Sequence, residues 1–138
     1  MSTATARSLA PFGARATAWV IDAIPHALVP YLLGRMTGSW PISVAGFLVT
    51  GVLWSILPEA ANGMSIGKRL IGIRLVDTGQ DAPLGLGRSA LRWLVKYGVG
   101  GALPVSYLWY FRDSRRRTWH DLAAGTEVVS ILAAPQRT

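Results

Sequence analysis

The chain has 138 residues, of which 51% are apolar and only 15% charged, with a positive mean hydropathy and a net charge of +7. A soluble domain carries about a quarter charged residues, so this balance points to a single membrane domain, residues 1–138. The absence of cysteine excludes disulfides and thiolate metal sites, and His26 and His120 lie too far apart in sequence to form a metal-ligand motif, so no metal or other cofactor is expected.

The first apolar run, residues 16–33, is interrupted only by Thr17, Asp22 and His26. A crossing needs about 20 mostly apolar residues. The run does not read as a cleaved signal peptide: it carries an internal acid and ends at Gly34-Arg35 without a small-x-small pattern. On an α-helix Arg15, Asp22 and His26 fall within about 40° of one another. A charge at the centre of a span costs roughly 2.5–3.5 kcal/mol, so these groups are expected to face a bundle or a water-filled cavity, with partners from other segments. Pro25 and Pro30 lack an N–H and free the carbonyls of Ile21 and His26. Acid, imidazole and open backbone together are how membrane proteins bind ions or carry protons. A second reading stands beside it, in which Asp22 is a structural lock paired with a basic side chain and His26 is a satisfied interfacial histidine.

After the turn "GRMTGSWP", residues 40–58 carry no charge. The two runs predict an antiparallel transmembrane helical hairpin. The stretch "KRLIGIRLVDTGQDAPL" alternates with a period of two and ends in the turn Asp77-Thr78-Gly79, so it predicts an extended segment. The β-branched "GTEVVSIL" near the end predicts a partner strand, the pair lying on the cytoplasmic face.

A third apolar region, about residues 86–111, is less uniform. Arg88, Arg92 and Lys96 recur at i, i+4 and i+8, with Leu91, Leu94 and Val95 opposite. That pattern predicts an interfacial helix with its basic face toward lipid phosphates. Tyr97 to Phe111 is uncharged but broken at "GVGGALP", which fits a re-entrant or tilted segment as well as a full span. Ten of the fourteen basic residues lie between Lys68 and Arg117. Under the positive-inside rule the amino terminus, central loop and tail all belong in the cytoplasm, which favours the re-entrant form. The fold expected is an all-α integral membrane protein with a small two-strand cytoplasmic element.

Enzyme readings find no footing. There is no Ser-His-Asp order with a nucleophile elbow and no phosphate loop. Nucleic acid is not an expected partner, because the basic residues flank apolar runs and topology accounts for them.

Arg15 and Asp22 in the first run, "GMSIGKRLIGIRLVD" after the second and "RRRTWHDLAAGTEVV" at the end together resemble the RDD family of small bacterial membrane proteins, named for one arginine and two aspartates. The resemblance matches these to Arg15, Asp22 and Asp121. The family's Thr-Leu-Gly-Lys-Arg-like loop appears as Ser65-Ile66-Gly67-Lys68-Arg69. It implies a multi-pass protein of the bacterial plasma membrane, with transport as the suggested activity. For so short a chain that means an oligomer built around Asp22. The alternative is a non-transporting accessory subunit that docks a larger membrane complex or binds anionic lipid. The charge network expected is Arg15, Asp22, His26 and Asp121, with Asp121 paired to Lys68, Arg69, Arg74 or the Arg115–Arg117 triplet. Lipid-headgroup or loop contacts are expected from Lys68, Arg69, Arg74, Arg88, Arg92 and Lys96. Partners are then the bilayer, its anionic lipids, and further copies of the chain or a larger membrane protein.

Overall fold

The computed structural model of the chain describes residues 8–79, 84–99 and 105–131. Two long helices dominate it. The first, α1, spans Phe12–Thr37 and ends at Gly38 in the left-handed conformation. The second is continuous over Trp40–Asn62 and has three parts: α2 (Trp40–Thr50), a π-helical stretch (Gly51–Ile56) and α3 (Leu57–Asn62). Both are long and apolar enough to cross a membrane, and both run past the expected bounds of 16–33 and 40–58. Gly34 abuts Ser43, Gly46 lies against Leu33 and Val29, and Trp54 reaches back to Asp22. The two helices therefore run side by side in opposite directions.

Their polarity is inverted relative to a water-soluble bundle. The buried residues of α1 are Arg15, Ala18, Asp22 and His26, whereas Val20, Ile24, Leu28 and Tyr31 are exposed. Only 17% and 22% of the most apolar windows of the two long helices are buried. A core helix of a soluble protein turns its apolar stripe inward; here the apolar stripe faces out and the ionisable one faces in.

After the second helix the chain departs from the expected extended run. Residues from Lys68 to Ile71 are helical, within α4 (Ile66–Ile71). The reason is local: Ser65 caps the helix by accepting from the Lys68 N–H, and Gly72 ends it in the left-handed conformation. Strand β1 then covers only Ile73–Asp77. The Asp77 carboxylate accepts from the Gly79 N–H at 2.8 Å, closing the turn read from the sequence. Strand β2 (Thr126–Ser130) pairs antiparallel with β1, Ile73 opposite Ser130 and Asp77 opposite Thr126. Leu9 bridges Val129 on the other edge of β2. Ile73, Leu75 and Val128 from this sheet close a small apolar core with Ala10, Ala18 and Leu84.

The third apolar region forms α5 (Leu86–Leu94), a π-helical stretch (Val95–Val99) and α6 (Val105–Arg112). Of the expected break "GVGGALP", residues 100–104 lie outside the described residues. Arg88 bonds to the Ala124 carbonyl beside the sheet, and Tyr97 stacks on His26, well along α1. On the returning arm Tyr107 meets Trp19, and the Tyr110 hydroxyl donates to the Ala10 carbonyl. The two arms thus both border α1, and their outer ends lie near its amino-terminal end. A last short helix, α7 (Trp119–Ala124), precedes β2.

Candidate functional site: a buried charge cluster

Asp121 sits at the third position of α7 and is 0% exposed. Its Oδ2 accepts from the Thr118 backbone N–H at 3.1 Å and from the Thr118 hydroxyl at 3.0 Å. Arg15 Nη2 donates to the same oxygen at 2.5 Å, and Arg15 Nη1 donates to the Arg116 carbonyl at 2.7 Å. The other oxygen, Oδ1, accepts from Arg92 Nε and Nη2 at 3.2 and 3.0 Å. Asp121 is therefore a node between α1, α5 and α7. Its partners are Arg15 and Arg92, not the expected Lys68, Arg69, Arg74 or Arg115–Arg117. Within that triplet, Arg117 pairs with Asp113 instead.

The cluster continues through Glu59, a residue the sequence reading passed over. It lies in α3, just past the uncharged run, and is 2% exposed. Arg92 Nη1 donates to both its oxygens at 3.1 Å, and the Lys68 ammonium pairs with it. Arg92 thereby bridges two carboxylates from two segments. The signal in the sequence was only a lone acid beside the glycine- and lysine-containing loop.

Asp22 has no cationic hydrogen-bond partner among the described residues. Its carboxylate accepts from the Ser65 hydroxyl at 2.6 Å, the Gly67 N–H at 2.8 Å and the Trp54 indole at 3.0 Å. Three neutral donors thus hold an acid that is 1% exposed. Gly67 is there because nothing larger fits: a Cβ would lie 2.3 Å from the Ala18 carbonyl oxygen. Three of the four residues in Ser65-Ile66-Gly67-Lys68 thereby have a place in the cluster. Ser65 and Gly67 serve Asp22, and Lys68 serves Glu59.

His26 does not join the Asp22 carboxylate. Its Nδ1 bonds the Asp22 backbone carbonyl at 2.7 Å, and its Nε2 accepts from the Trp93 indole at 3.2 Å. That pattern assigns Nδ1–H and a neutral ring. Stacked on Tyr97 and edge-on to Phe47, it is the satisfied histidine of the second reading. Gly51, in the π-helical stretch, makes room for Trp93, whose ring would lie 2.3 Å from a Cβ there.

The basic stripe of the third region points inward, against expectation. Arg92 and Lys96 are 2% and 7% exposed, while Leu91, Leu94 and Leu86 are exposed. Arg88, half-buried, donates Nε to the Ala124 carbonyl at 2.9 Å and pairs with Asp77. Lys68 is likewise buried against Glu59. Arg69 is exposed and Arg74 half-buried. The periodicity gave the right faces; which of them faces inside was decided by the carboxylates of Glu59 and Asp121.

Between these groups lies a cavity of about 20 Å³, walled by Arg15, Asp22, Lys68, Arg92, Lys96, Tyr107 and His120 among others. His120 is 2% exposed; Nε2 lies 2.8 Å from the Thr118 hydroxyl and Nδ1 has no partner. Burial holds its imidazole well below the ordinary value of 6.5, despite the neighbouring Asp121 carboxylate. The unfolded chain therefore binds a proton below pH 6.5 that the folded chain does not, and stability falls with pH there. Burial works against the Asp121 carboxylate, but Arg15 and Arg92 hold it well below 3.8, adding a second loss in stronger acid. Thermal unfolding of the detergent-solubilised protein is expected to shift down from neutral pH to mild acid, and His120→Gln to flatten that slope. An equally steep slope in the variant would assign it to other groups.

Among the described residues no group of His, Cys, Asp and Glu is placed to hold a metal ion. A family model described as the RDD family matches residues 9–125. No curated protein and no solved structure matches the chain.

Proposed function

The chain belongs to the RDD family and is a membrane protein, and from that premise we propose that it is a multi-pass protein of the bacterial plasma membrane that moves a small ion or proton past its buried charge cluster. In this reading the two long helices are an antiparallel transmembrane hairpin, the third region re-enters the same leaflet, and both termini are cytoplasmic. The concentration of basic residues in the central loop and tail supports that orientation. The observation that carries the transport reading is the water-sized cavity bordered by Asp22, Lys96 and His120, between α1 and the segments that follow the second long helix. Intramembrane ionisable groups around such a space mark ion and proton pathways. The short chain requires several copies, or a larger membrane protein, to complete a pathway.

One observation favours the accessory role: Asp22 is held by three neutral donors, Trp54, Ser65 and Gly67, and ties α1 to the second long helix and α4 without the basic partner expected of a lock. In that case the cluster fixes the packing of α1, α3, α4, α5 and α7. The protein would then serve a larger complex or anionic lipid through its outer surface, where Arg69 is exposed. Ion flux in proteoliposomes separates the readings when assembly is measured on the same sample. Transport predicts a wild-type flux that Asp22→Asn and Lys96→Met each reduce at least tenfold, with Lys96→Met assembling normally. Absence of flux from the well-assembled wild-type protein supports the accessory role.

A further inference from the structure

Charge in the buried cluster does not balance. Its cations are Arg15, Lys68, Arg92 and Lys96, each at most 7% exposed. Its carboxylates are Asp22, Glu59 and Asp121, each at most 2% exposed. With all of them ionised, four positive charges meet three negative ones. Buried charges are paired or shift their protonation, because an isolated charge in a low-dielectric interior is too costly. Arg15 and Arg92 take up Asp121, and Lys68 and Arg92 take up Glu59. Lys96 is left without an ion pair among the described residues; its ammonium lies 5.1 Å from the centre of the Tyr97 ring.

The space beside Lys96 has the matching chemistry. All four cations line the cavity, whereas of the three carboxylates only Asp22 does, and its oxygens are already engaged by Ser65, Gly67 and Trp54. Glu59 and Asp121 do not contribute to the wall. The wall is thus more positive than the cluster as a whole. A second observation points the same way. The Thr118 hydroxyl lies within hydrogen-bond distance of both Asp121 Oδ2 and His120 Nε2, whereas His120 Nδ1 is buried without a partner. A cavity of about 20 Å³ is large enough for one or two particles of the size of water.

We propose that this cavity is a binding site for a small monovalent inorganic anion of the halide class, held by Lys96 within the ring of Arg15, Lys68 and Arg92. His120, whose Nδ1 is buried without a partner, lines the same space. The site rests on charge and geometry, and it holds whether the protein transports ions or serves as an accessory subunit.

The full-length protein in detergent, unfolded thermally in sodium chloride, sodium bromide or sodium gluconate at equal ionic strength, tests it. Chloride and bromide are expected to raise the midpoint by several degrees over gluconate, saturably, and Lys96→Met to abolish the difference. The same midpoint in halide and gluconate would overturn the proposal, as would a halide effect that persists in Lys96→Met. Crystals of the wild-type protein grown in bromide provide a readout that needs no variant. An anomalous peak beside Lys96 supports the site, and its absence at saturating bromide refutes it. These readouts involve no flux, so a failed transport assay leaves the anion site standing, and the reverse.

Discussion

Asp121→Asn is expected to destabilise the folded protein by about 3–5 kcal/mol, the usual cost of removing one partner from a buried ion pair. The asparagine keeps the shape but presents an amide where two guanidinium groups donate. Arg15 and Arg92 both lose a negative partner while only 7% and 2% exposed. The loss also removes the carboxylate that accepts from the Thr118 N–H at the start of α7. Because α7 leads directly into β2, the sheet is expected to open with it. Thermal unfolding in detergent gives the magnitude, and protease sensitivity between Lys68 and Arg74 reports the cap. A variant as stable as the wild type, with an unchanged cleavage pattern, would remove Asp121 from the network.

Glu59→Gln is expected to cost a similar amount, about 3–5 kcal/mol, for a different reason. Lys68 loses its ion pair, while Arg92 keeps Asp121. The damage therefore concentrates on Lys68. Adding Lys68→Met to Glu59→Gln removes the orphaned charge and is expected to restore a large part of the stability, so the double-mutant cycle should give a coupling of about 0.5–3 kcal/mol, the range for residues in contact. Additive effects would show that Glu59 and Lys68 do not act as a pair. Replacing a whole buried ion pair by apolar groups is often neutral, so the cost of either single substitution measures the orphaned charge and not the net contribution of the pair.

The helix carrying Arg88, Arg92 and Lys96 shows how far the chain could be read. Spacing placed the three on one side and Leu91 and Leu94 on the other, and the structure keeps that division. Periodicity defines faces without saying which of them is inside. In water the apolar face turns in; in a chain with exposed apolar helices the choice passes to whatever the polar face can pair with. Here Glu59 and Asp121 were waiting, and neither lies within 28 residues of Arg92. The same holds for Arg15, whose partner Asp121 is 106 positions away. A lone acid such as Glu59 gave no periodic signal at all.

Local pattern by itself determined the two long apolar helices, the two short extended segments, the turn at Asp77 and the family boxes around Ser65 and His120, because each depends on residues near one another in sequence. The α4 turn is also written locally, in the Ser65 cap and the Gly72 stop, beneath an apparent period of two in the same stretch. Tertiary structure alone decided that Asp22 is held by Ser65, Gly67 and Trp54 and not by a cation, that His26 is satisfied by Trp93, and that four buried cations surround one small cavity. The physical reason is the low dielectric of the interior. A charge there must find its counterpart wherever the fold brings one, and sequence distance carries no record of where that is.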